Sequence, residues 1–332
     1  MLSRTLVLGL ALLAVASEDT SELPAVKKVR RNKRSCTARS SNFTLTDKFQ
    51  GTNFFDDWDF FTESDPTHGL VNYLGASDAL NAGLISTTAS QATMKVDDTT
   101  SLASGQRRSS VRISTKKSFD SGLIILDIDA MPHGCAIWPA FWTVGPNWPN
   151  GGEIDIIESV NDATNNQMTL HTGAGCTQSN NNAILGQVLT TTCDANVNEN
   201  SGCGIHDPSS TSSGAGLAQA GGAVFATILD ESGVKIWRFD RSNVPADINN
   251  GNPSPGTWGP PVAQWSSGTC NPSQFIVEQQ IVFDITLCGD WAGSVYGSSG
   301  CPGTCQSQVM DPNNFKTGAW VVNYVAVYSE SS

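Results

Sequence analysis

The feature that most constrains this chain is a short run in which three carboxylates alternate with isoleucines, Gly152-Glu153-Ile154-Asp155-Ile156-Ile157-Glu158. Residues branched at Cβ favour strands, and successive side chains of a strand point to opposite faces. Glu153 and Asp155 therefore share one face of the predicted strand. Glu158 is five residues from Glu153, so a regular strand would place it on the opposite face. One β-bulge returns it to the face of the other acids, because a bulge adds a residue opposite a single partner.

Three carboxylates on one face are costly, because like charges at short range raise the pKa of at least one of them. Such crowding is typical of catalytic sites. Two carboxyl groups flanking a glycosidic bond are the usual equipment of glycoside hydrolases. The alternatives are a surface strand decorated with acids and a metal site, and the latter is disfavoured because no histidine lies in the run. We therefore interpret Glu153, Asp155 and Glu158 as candidate catalytic residues.

The first 34 residues are expected to lie outside the folded domain. The apolar run from Leu6 to Val15 is followed by a small-residue cleavage pattern, so residues 1–16 are predicted to be a secretory signal peptide. A polar stretch then ends in a basic run that closes with Lys33-Arg34. We interpret it as the end of a propeptide, residues 17–34, and not as a nucleic-acid patch or a solvated tail. Residues 35–332 are then expected to form one secreted domain.

Charge restricts the partners. The chain carries 19 basic and 31 acidic residues, a net charge of −12, and without its first 34 residues the net charge is −16. Nucleic-acid-binding proteins need cationic patches, so we expect no nucleic-acid partner. An acidic surface suits a neutral substrate and a soluble monomer. After the leader, no apolar stretch is long enough to span a bilayer, so we expect no membrane anchor.

The cysteines indicate an oxidising compartment. All nine follow the apolar leader, and in a secreted protein they are interpreted first as disulfides. The odd number leaves at least one free or paired between chains. We predict local pairs between Cys193 and Cys203 and between Cys301 and Cys305, because both pairs lie in loop-like sequence. No spacing matches a zinc site. Asn42 is in the one glycosylation acceptor motif, Asn42-Phe43-Thr44.

The remaining pattern predicts an all-β fold. No segment keeps a 3.6-residue apolar period over a dozen residues, and Gly and Pro are spread along the chain as turn residues. Many strands with few helices indicate a sandwich or barrel. The Ser-, Gly- and Asn-rich stretch 196–222 is interpreted as a long surface loop, with an interdomain linker as the alternative. Strands are predicted at residues 111–115, 122–129, 223–228 and 234–239 (a hairpin), 275–287 and 319–328.

Several aromatic residues precede or follow the acids. Aromatic rings can stack on the C–H faces of sugars, or they can fill a core. We assign Trp142 and Trp148 to a groove and Trp138 to the core, and we assign Trp291 to a groove because it follows a strand in a loop-like segment. His171 is equally compatible with a structural role and with a hydrogen bond to substrate or nucleophile.

With these residues in place, the chain resembles glycoside hydrolase family 16. The run Glu153–Glu158 resembles the longer form of the family's catalytic signature, which includes the bulge residue and is typical of laminarinase-like members. One departure is Ala130, where the family pattern leads us to expect a histidine. The similarity to fungal endo-1,3(4)-β-glucanases covers roughly residues 43–328, through the segments 67–73, 131–142, 145–149, 170–172 and 288–291.

This resemblance implies a jelly-roll β-sandwich of the concanavalin A-like kind, with a substrate cleft across a concave face. It also implies a retaining mechanism in which Glu153 is the nucleophile, Asp155 the assisting acid and Glu158 the acid/base. The substrate-binding residues that it implies are Trp142, Trp148, His171 and Trp291, with Asn72 and Tyr73 as further cleft residues.

The expected partner is a β-glucan such as laminarin, lichenan or cell-wall glucan. No cofactor or catalytic metal is implied. Some family members bind a structural calcium, and nothing in this sequence fixes ligands for it. Two alternatives remain: a glucan transglycosylase on the same scaffold, and a non-catalytic glucan-binding lectin. The lectin is disfavoured because relatives of that kind lack the two glutamates that this chain keeps.

Overall fold

The computed structural model describes residues 43–179 and 183–330. The predicted signal peptide, the propeptide and the Asn42 acceptor site lie outside these residues and stay predictions. In chain order the strands are β1 (Phe43–Gln50), β2 (Trp58–Phe60), β3 (Val71–Tyr73), β4 (Ile85–Thr87), β5 (Ala92–Lys95), β6 (Arg108–Ser110), β7 (Arg112–Thr115), β8 (Gly122–Ala130), β9 (Ile137–Val144), β10 (Glu153–Glu158), β11 (Gln167–His171), β12 (Gln187–Val188), β13 (Cys203–His206), β14 (Ala223–Asp230), β15 (Gly233–Asp240), β16 (Ala263–Ser266), β17 (Gln280–Leu287) and β18 (Ala319–Glu330).

The strands form two large antiparallel sheets and one small parallel pair. The first sheet has the order β16-β15-β14-β8-β18-β5-β4, with β1 also paired to β18. The second has the order β12-β13-β11-β10-β9-β17-β7-β2, and β3 pairs with β6 in parallel. The short α-helices are α1 (Ala76–Asn81), α2 (Gly214–Gln219), α3 (Ala246–Asn249), α4 (Pro272–Phe275) and α5 (Cys305–Met310). Within the described ranges, no helix is long and apolar enough to cross a bilayer.

The main core lies between the two large sheets. Phe283 on β17 packs against Phe141 on β9, with ring centroids 4.6 Å apart, and meets Trp320 of the opposite sheet at 5.4 Å. The indole N–H of Trp320 donates to the carbonyl oxygen of Asp284, which satisfies the one polar atom of this buried ring. The second sheet therefore has an inner face against this core and an outer face, which we call the site face.

The structure confirms the predicted hairpin, in which β14 and β15 pair along their whole length. The strand predicted at 275–287 begins only at Gln280, because Pro272 starts a helical turn. The prediction of a surface loop at 196–222 is wrong. This stretch contains β13 and α2, and β13 is an integral strand paired with β11. Its Ser- and Gly-rich composition concealed a strand whose residues Cys203 and Ile205 are fully buried.

Two of the disulfides correct the sequence-based pairing. The pair Cys193–Cys203 is present as predicted. The predicted pair of Cys301 with Cys305 is wrong, because Cys301 bonds to Cys135 and Cys305 bonds to Cys288. The chain after β17 folds back over the ends of β9 and β17, so each cysteine meets a strand end and not its near neighbour. A fourth bond joins Cys176 to Cys270.

This pairing makes a prediction about Cys301→Ala. The variant should expose a free thiol at Cys135 while Cys305 stays oxidised. It should also lose about 2–4 kcal/mol of unfolding free energy, the usual effect of removing a long-range disulfide. Thiol alkylation followed by peptide mass mapping identifies the freed cysteine, and urea denaturation gives the stability. A free thiol at Cys305 would instead support the local pairing.

Candidate active site

The predicted bulge is present in β10. Against β9, Asp155 pairs with Trp142 and Ile157 pairs with Phe141, so Ile156 is the extra residue. The ladder to β11 shows the same shift between Asp155 and Glu158. The bulge therefore lets two consecutive isoleucines pack into the main core while the next residue returns to the site face.

All three acids consequently lie together on the site face. Glu153 stands directly opposite His171 on β11, and Asp155 and Glu158 follow on the same face. Asp155 and Glu158 are buried, and Glu153 is half-buried. Such burial of three carboxyl groups requires compensation from hydrogen-bond donors or positive charge.

Two tryptophans provide donors to the glutamates. The indole N–H of Trp148 donates to Oε2 of Glu153 in a short hydrogen bond. The indole N–H of Trp138 donates to Oε1 of Glu158 over 2.8 Å. The ring of Trp291 packs edge-on against Trp138, with centroids 5.9 Å apart. Each glutamate thus has its own indole donor, and Trp291 supports one of them.

His171 supplies the positive charge. Its Nδ1 contacts Oδ1 of Asn200 at 2.8 Å, and an amide oxygen can only accept, so Nδ1 carries a proton. Its Nε2 lies 3.4 Å from Oδ2 of Asp155. Burial alone would lower the pKa of His171, but its close approach to Asp155 and the charges of both glutamates raise that pKa to about 10. The imidazolium therefore balances one carboxylate of the cluster.

Burial and the neighbouring charge of Asp155 raise the pKa values of both glutamates. The pKa of Glu153 rises to about 8, although His171 and the Trp148 hydrogen bond act in the opposite direction. The pKa of Glu158 rises well above its ordinary range, with Trp138 and His171 opposing the shift. Crowding of the acids predicts a raised pKa for at least one of them, and the pKa values of both glutamates rise because they share the same crowded surroundings.

The sequence that forms this site matches a known family model. The family model described as an XgeA-like, catalytic GH16 domain matches residues 58–328. The chain belongs to glycoside hydrolase family 16. This confirms the resemblance inferred from the sequence.

Curated relatives of this family 16 chain are longer than the chain itself. It is 43% identical over 295 residues to a probable glycosidase of Schizosaccharomyces pombe, a match that covers 87% of this chain and 70% of the relative. It is 41% identical to a probable endo-1,3(4)-β-glucanase of Aspergillus flavus, covering 87% of this chain and 44% of the relative. The chain thus spans less than half the length of the second relative.

Solved structures share the fold. Family 16 laminarinase 16A from Phanerochaete chrysosporium, solved with two β-glucans in its donor and acceptor sites, is 36% identical, with a TM-score of 0.84 over 87% of this chain and 100% of that one. An elongating family 16 β-1,3-glucosyltransferase is 38% identical, with a TM-score of 0.82 over 86% and 100% of the two chains. These matches confirm the predicted all-β jelly-roll sandwich.

The positions of three tryptophans in this family 16 domain differ in part from the core and groove positions assigned from the sequence. The prediction that Trp138 belongs to the core is wrong. Alternation along β9 places Trp138 and Trp142 on the same face, and Trp138 reaches Glu158. Trp142 lies on the site face but is buried beside Ala140. Trp148 is the most open of the three, with 46% of its surface exposed.

Asn72 and Tyr73 occupy a different position from the acid cluster. They alternate along β3, so Asn72 is exposed whereas Tyr73 is only 4% exposed. The Tyr73 ring packs edge-on against Phe61, and its hydroxyl has no hydrogen-bond partner among the residues that the structure describes. Tyr73 is thus a buried residue packed beside Phe61 and is not part of the acid cluster.

Sequence reasoning missed two charged residues on the site face. Arg112 lies between two aromatic rings, 4.8 Å from the ring centroid of Phe61 and 5.0 Å from that of Trp142. Asp284 stands opposite Arg112 on β17, and burial raises its pKa to about 7 although Arg112 opposes the shift. An acid inside the apolar run Ile281–Ile285 was the available signal, since it repeats the pattern of β10.

In the described part of this family 16 domain, no group of three or more His, Cys, Asp or Glu residues is arranged to hold a metal ion.

The raised pKa values predict how stability depends on pH. A carboxyl group with a higher pKa in the folded chain favours folding in its protonated form, so stability falls as pH rises from about 4.3 through about 8 for Glu153. The contribution of His171 is complete below about 6.5 and is lost as pH rises through about 10. Both effects therefore lower the unfolding free energy at alkaline pH.

Glu153→Gln should remove the first of these effects. We expect the variant to match the wild type at pH 4 and to exceed its unfolding free energy by more than about 1 kcal/mol at pH 8. Urea denaturation across this range measures the difference. Glu63→Gln, at an exposed glutamate, controls for the loss of one negative charge. An equally steep decline in Glu153→Gln and the wild type would contradict the prediction.

Proposed function

We propose that this family 16 domain is an endo-β-glucanase that hydrolyses internal β-1,3 and mixed β-1,3/1,4 linkages with retention of configuration. The observation that carries the proposal is the bulge at Ile156, which brings Glu153, Asp155 and Glu158 to one face. With both glutamates on one face, we expect their carboxyl groups to lie at the short separation of retaining enzymes, about 5–5.5 Å. The names of the fungal relatives support a glucan as the substrate.

In the proposed first step, Glu158 donates its proton to the glycosidic oxygen while the Glu153 carboxylate attacks the anomeric carbon. The bond to the leaving sugar breaks, and a covalent glycosyl-enzyme forms. In the second step, the Glu158 carboxylate takes a proton from water, and that water attacks the anomeric carbon. The ester bond to Glu153 breaks, and both glutamates return to their starting states.

The surroundings suit these roles. Glu158 is buried beside the other acids, and its raised pKa keeps it protonated for the first step. Glu153 must be ionised to attack; burial and Asp155 raise its pKa to about 8, and the Trp148 N–H and His171 act against that shift by favouring the charged form. Asp155 lies between the two along β10, and its charge raises the pKa values of both. We assign it the role of orienting the nucleophile.

Substrate contacts are proposed from exposure and position. Trp148 is open and adjacent to Glu153, so it suits stacking against the sugar at the acids. Trp291 lies in the turn Gly289–Gly293 beside Trp138 and suits a neighbouring sugar. His171 and Trp142 line the floor on either side of Asp155. Asn72, which is exposed, and the adjacent buried Tyr73 are proposed as further cleft residues.

A second candidate reaction is transglycosylation. The 38% identical structure described as an elongating β-1,3-glucosyltransferase favours it, because that enzyme has the same fold. The two reactions differ only in whether water or a sugar hydroxyl captures the glycosyl-enzyme. Chromatography of products from laminarin, lichenan and xyloglucan decides between them: shorter chains alone support hydrolysis, and chains longer than the starting material support transfer.

We also propose that the protein acts outside the cell as a monomer. The apolar leader and the number of cysteines support secretion, and the four disulfides of the described residues suit an oxidising compartment. Detection of the protein in the culture medium, with its N-terminus at Ser35, tests this proposal.

Glu153→Gln should abolish turnover without loss of the fold or of glucan binding. The amide is nearly isosteric with the carboxylate but cannot form the covalent intermediate, so we expect activity on laminarin to fall by at least about a thousandfold. A reducing-sugar assay measures turnover, and calorimetry measures binding of laminari-oligosaccharides. Glu63→Gln is the matched control. Retention of a tenth of wild-type activity would remove Glu153 from the role of nucleophile.

The first product should keep the β-anomeric configuration. Two displacements at one carbon restore the starting stereochemistry, whereas a single displacement by water needs acids about 6.5–9.5 Å apart and inverts it. Proton NMR of the anomeric signals during the first minutes of hydrolysis distinguishes the products before mutarotation. An initial α-product would overturn the retaining mechanism.

A further inference from the structure

The bulge in β10 interrupts the ladder to β11 between Asp155 and Glu158. The backbone groups inside such an interruption lose their usual strand partners, and buried backbone groups without partners are costly. One side chain occupies this gap. Oδ1 of Asn166 accepts the backbone N–H of Glu158 at 2.8 Å, and Nδ2 of Asn166 donates to the carbonyl oxygen of Ile156 at 2.9 Å. A single amide thus closes both sides of the bulge.

Asn166 is itself rigidly held. It has no exposed surface. Its backbone N–H donates to Oγ of Ser212 at 2.9 Å, and its carbonyl oxygen accepts the backbone N–H of Asp207 at 2.9 Å. The hydroxyl of Ser212 donates in turn to the carbonyl oxygen of Ser209 at 2.6 Å. The side chain that closes the bulge, which we call the clamp, is therefore anchored to residues 207–212, outside β10.

The chemistry of the gap selects asparagine. It presents one donor, the Glu158 N–H, and one acceptor, the Ile156 carbonyl, and an amide provides the complementary pair. An ionised aspartate offers acceptors only, alanine offers neither group, and glutamine is longer by one methylene. A protonated aspartic acid, by contrast, has both a donor and an acceptor at the same reach.

We propose that Asn166 is the positioning residue of this site: it fixes the bulge and thereby the direction in which Glu158 presents its carboxyl group. Asn166 does not contact substrate, and it acts through the backbone of the residue that it holds. Displacement of a catalytic group by about 1 Å can cost on the order of a hundredfold in rate. The effect belongs in kcat, because the sugar-binding surface formed by Trp148 and Trp291 does not depend on this clamp. The inference rests on the proposed function of Glu158 as acid/base.

Two variants and a matched control test the proposal. Asn166→Ala removes both hydrogen bonds and should lower kcat about 10- to 100-fold with little change in KM. Asn166→Asp should restore the clamp only when its carboxyl group is protonated. The charged groups near this position are Glu158 and the ion pair of Asp207 with Arg238, whose atoms lie 2.7 Å apart.

We therefore expect Asn166→Asp to lie within about threefold of wild-type kcat at pH 4 and to fall at least about tenfold below it at pH 7. The control is Asn165→Ala, a neighbour of the same type whose amide donates to the carbonyl oxygens of Asp207 and Ser209 and not to β10. It should lower stability without changing kcat.

Amide hydrogen exchange gives a readout that does not need activity. The Glu158 N–H should lose protection in Asn166→Ala and keep it in Asn165→Ala. Equal protection of this N–H in all three proteins would overturn the clamp, whatever the rates are. Normal kcat in Asn166→Ala, or a pH profile of Asn166→Asp that parallels the wild type, would overturn its role in positioning. A wild type that hydrolyses none of the β-glucans would instead contradict the proposed function, and the exchange result would still decide the clamp.

Discussion

An extra residue in one strand is the constraint on which the rest of this site depends. Without the bulge at Ile156, Glu158 would point into the core, and the sandwich would have to bury a carboxyl group among isoleucines. With it, the strand keeps an apolar inner face and gathers three acids on the other. The extra residue therefore keeps isoleucine side chains in the core and places the three acids on the opposite face. Packing of the core and geometry of the site thus depend on the same backbone position.

The crowding that follows from the bulge is balanced locally. His171 contributes a positive charge next to Asp155, and each glutamate accepts one indole N–H. These groups come from β9, from the loop before β10 and from β11. Compensation of the negative charge therefore requires all three segments to be correctly placed around β10. The acids still retain raised pKa values, which means that the balance is partial. Partial compensation of their charge suits the roles proposed for the two glutamates, which must gain and lose protons during the reaction.

Much of this was accessible from the sequence, and the failures have physical reasons. The period of two along β10 and the spacing of Glu158 were enough to predict the bulge, because both are local properties of a strand. Trp138 was misassigned to the core even though strand alternation links it to Trp142, since composition around a tryptophan does not reveal its face. The partner of Cys301 depends on how the chain folds back after β17, a long-range property with no local signal.

Residues 196–222 and Asn166 show a second limit. β13 has only four residues, Cys203–His206, which are too few for an apolar period to be detected. Asn166 lies in a run of polar residues between two strands, where an asparagine normally indicates a turn. Its contacts are with the backbone of another strand, and hydrogen bonds between a side chain and a distant backbone leave no trace in composition. Structure was needed to find both.

The two disulfides near Trp291 affect how the protein responds to proteolysis. The bond from Cys288 to Cys305 and the bond from Cys135 to Cys301 enclose the exposed segment that follows the Trp291 turn. A cut in the chain between Ser294 and Gly300 would leave the two fragments joined by both disulfides. The two disulfides would hold Trp291 beside Trp138 in the nicked molecule, so a cut in this exposed segment would not dismantle the site.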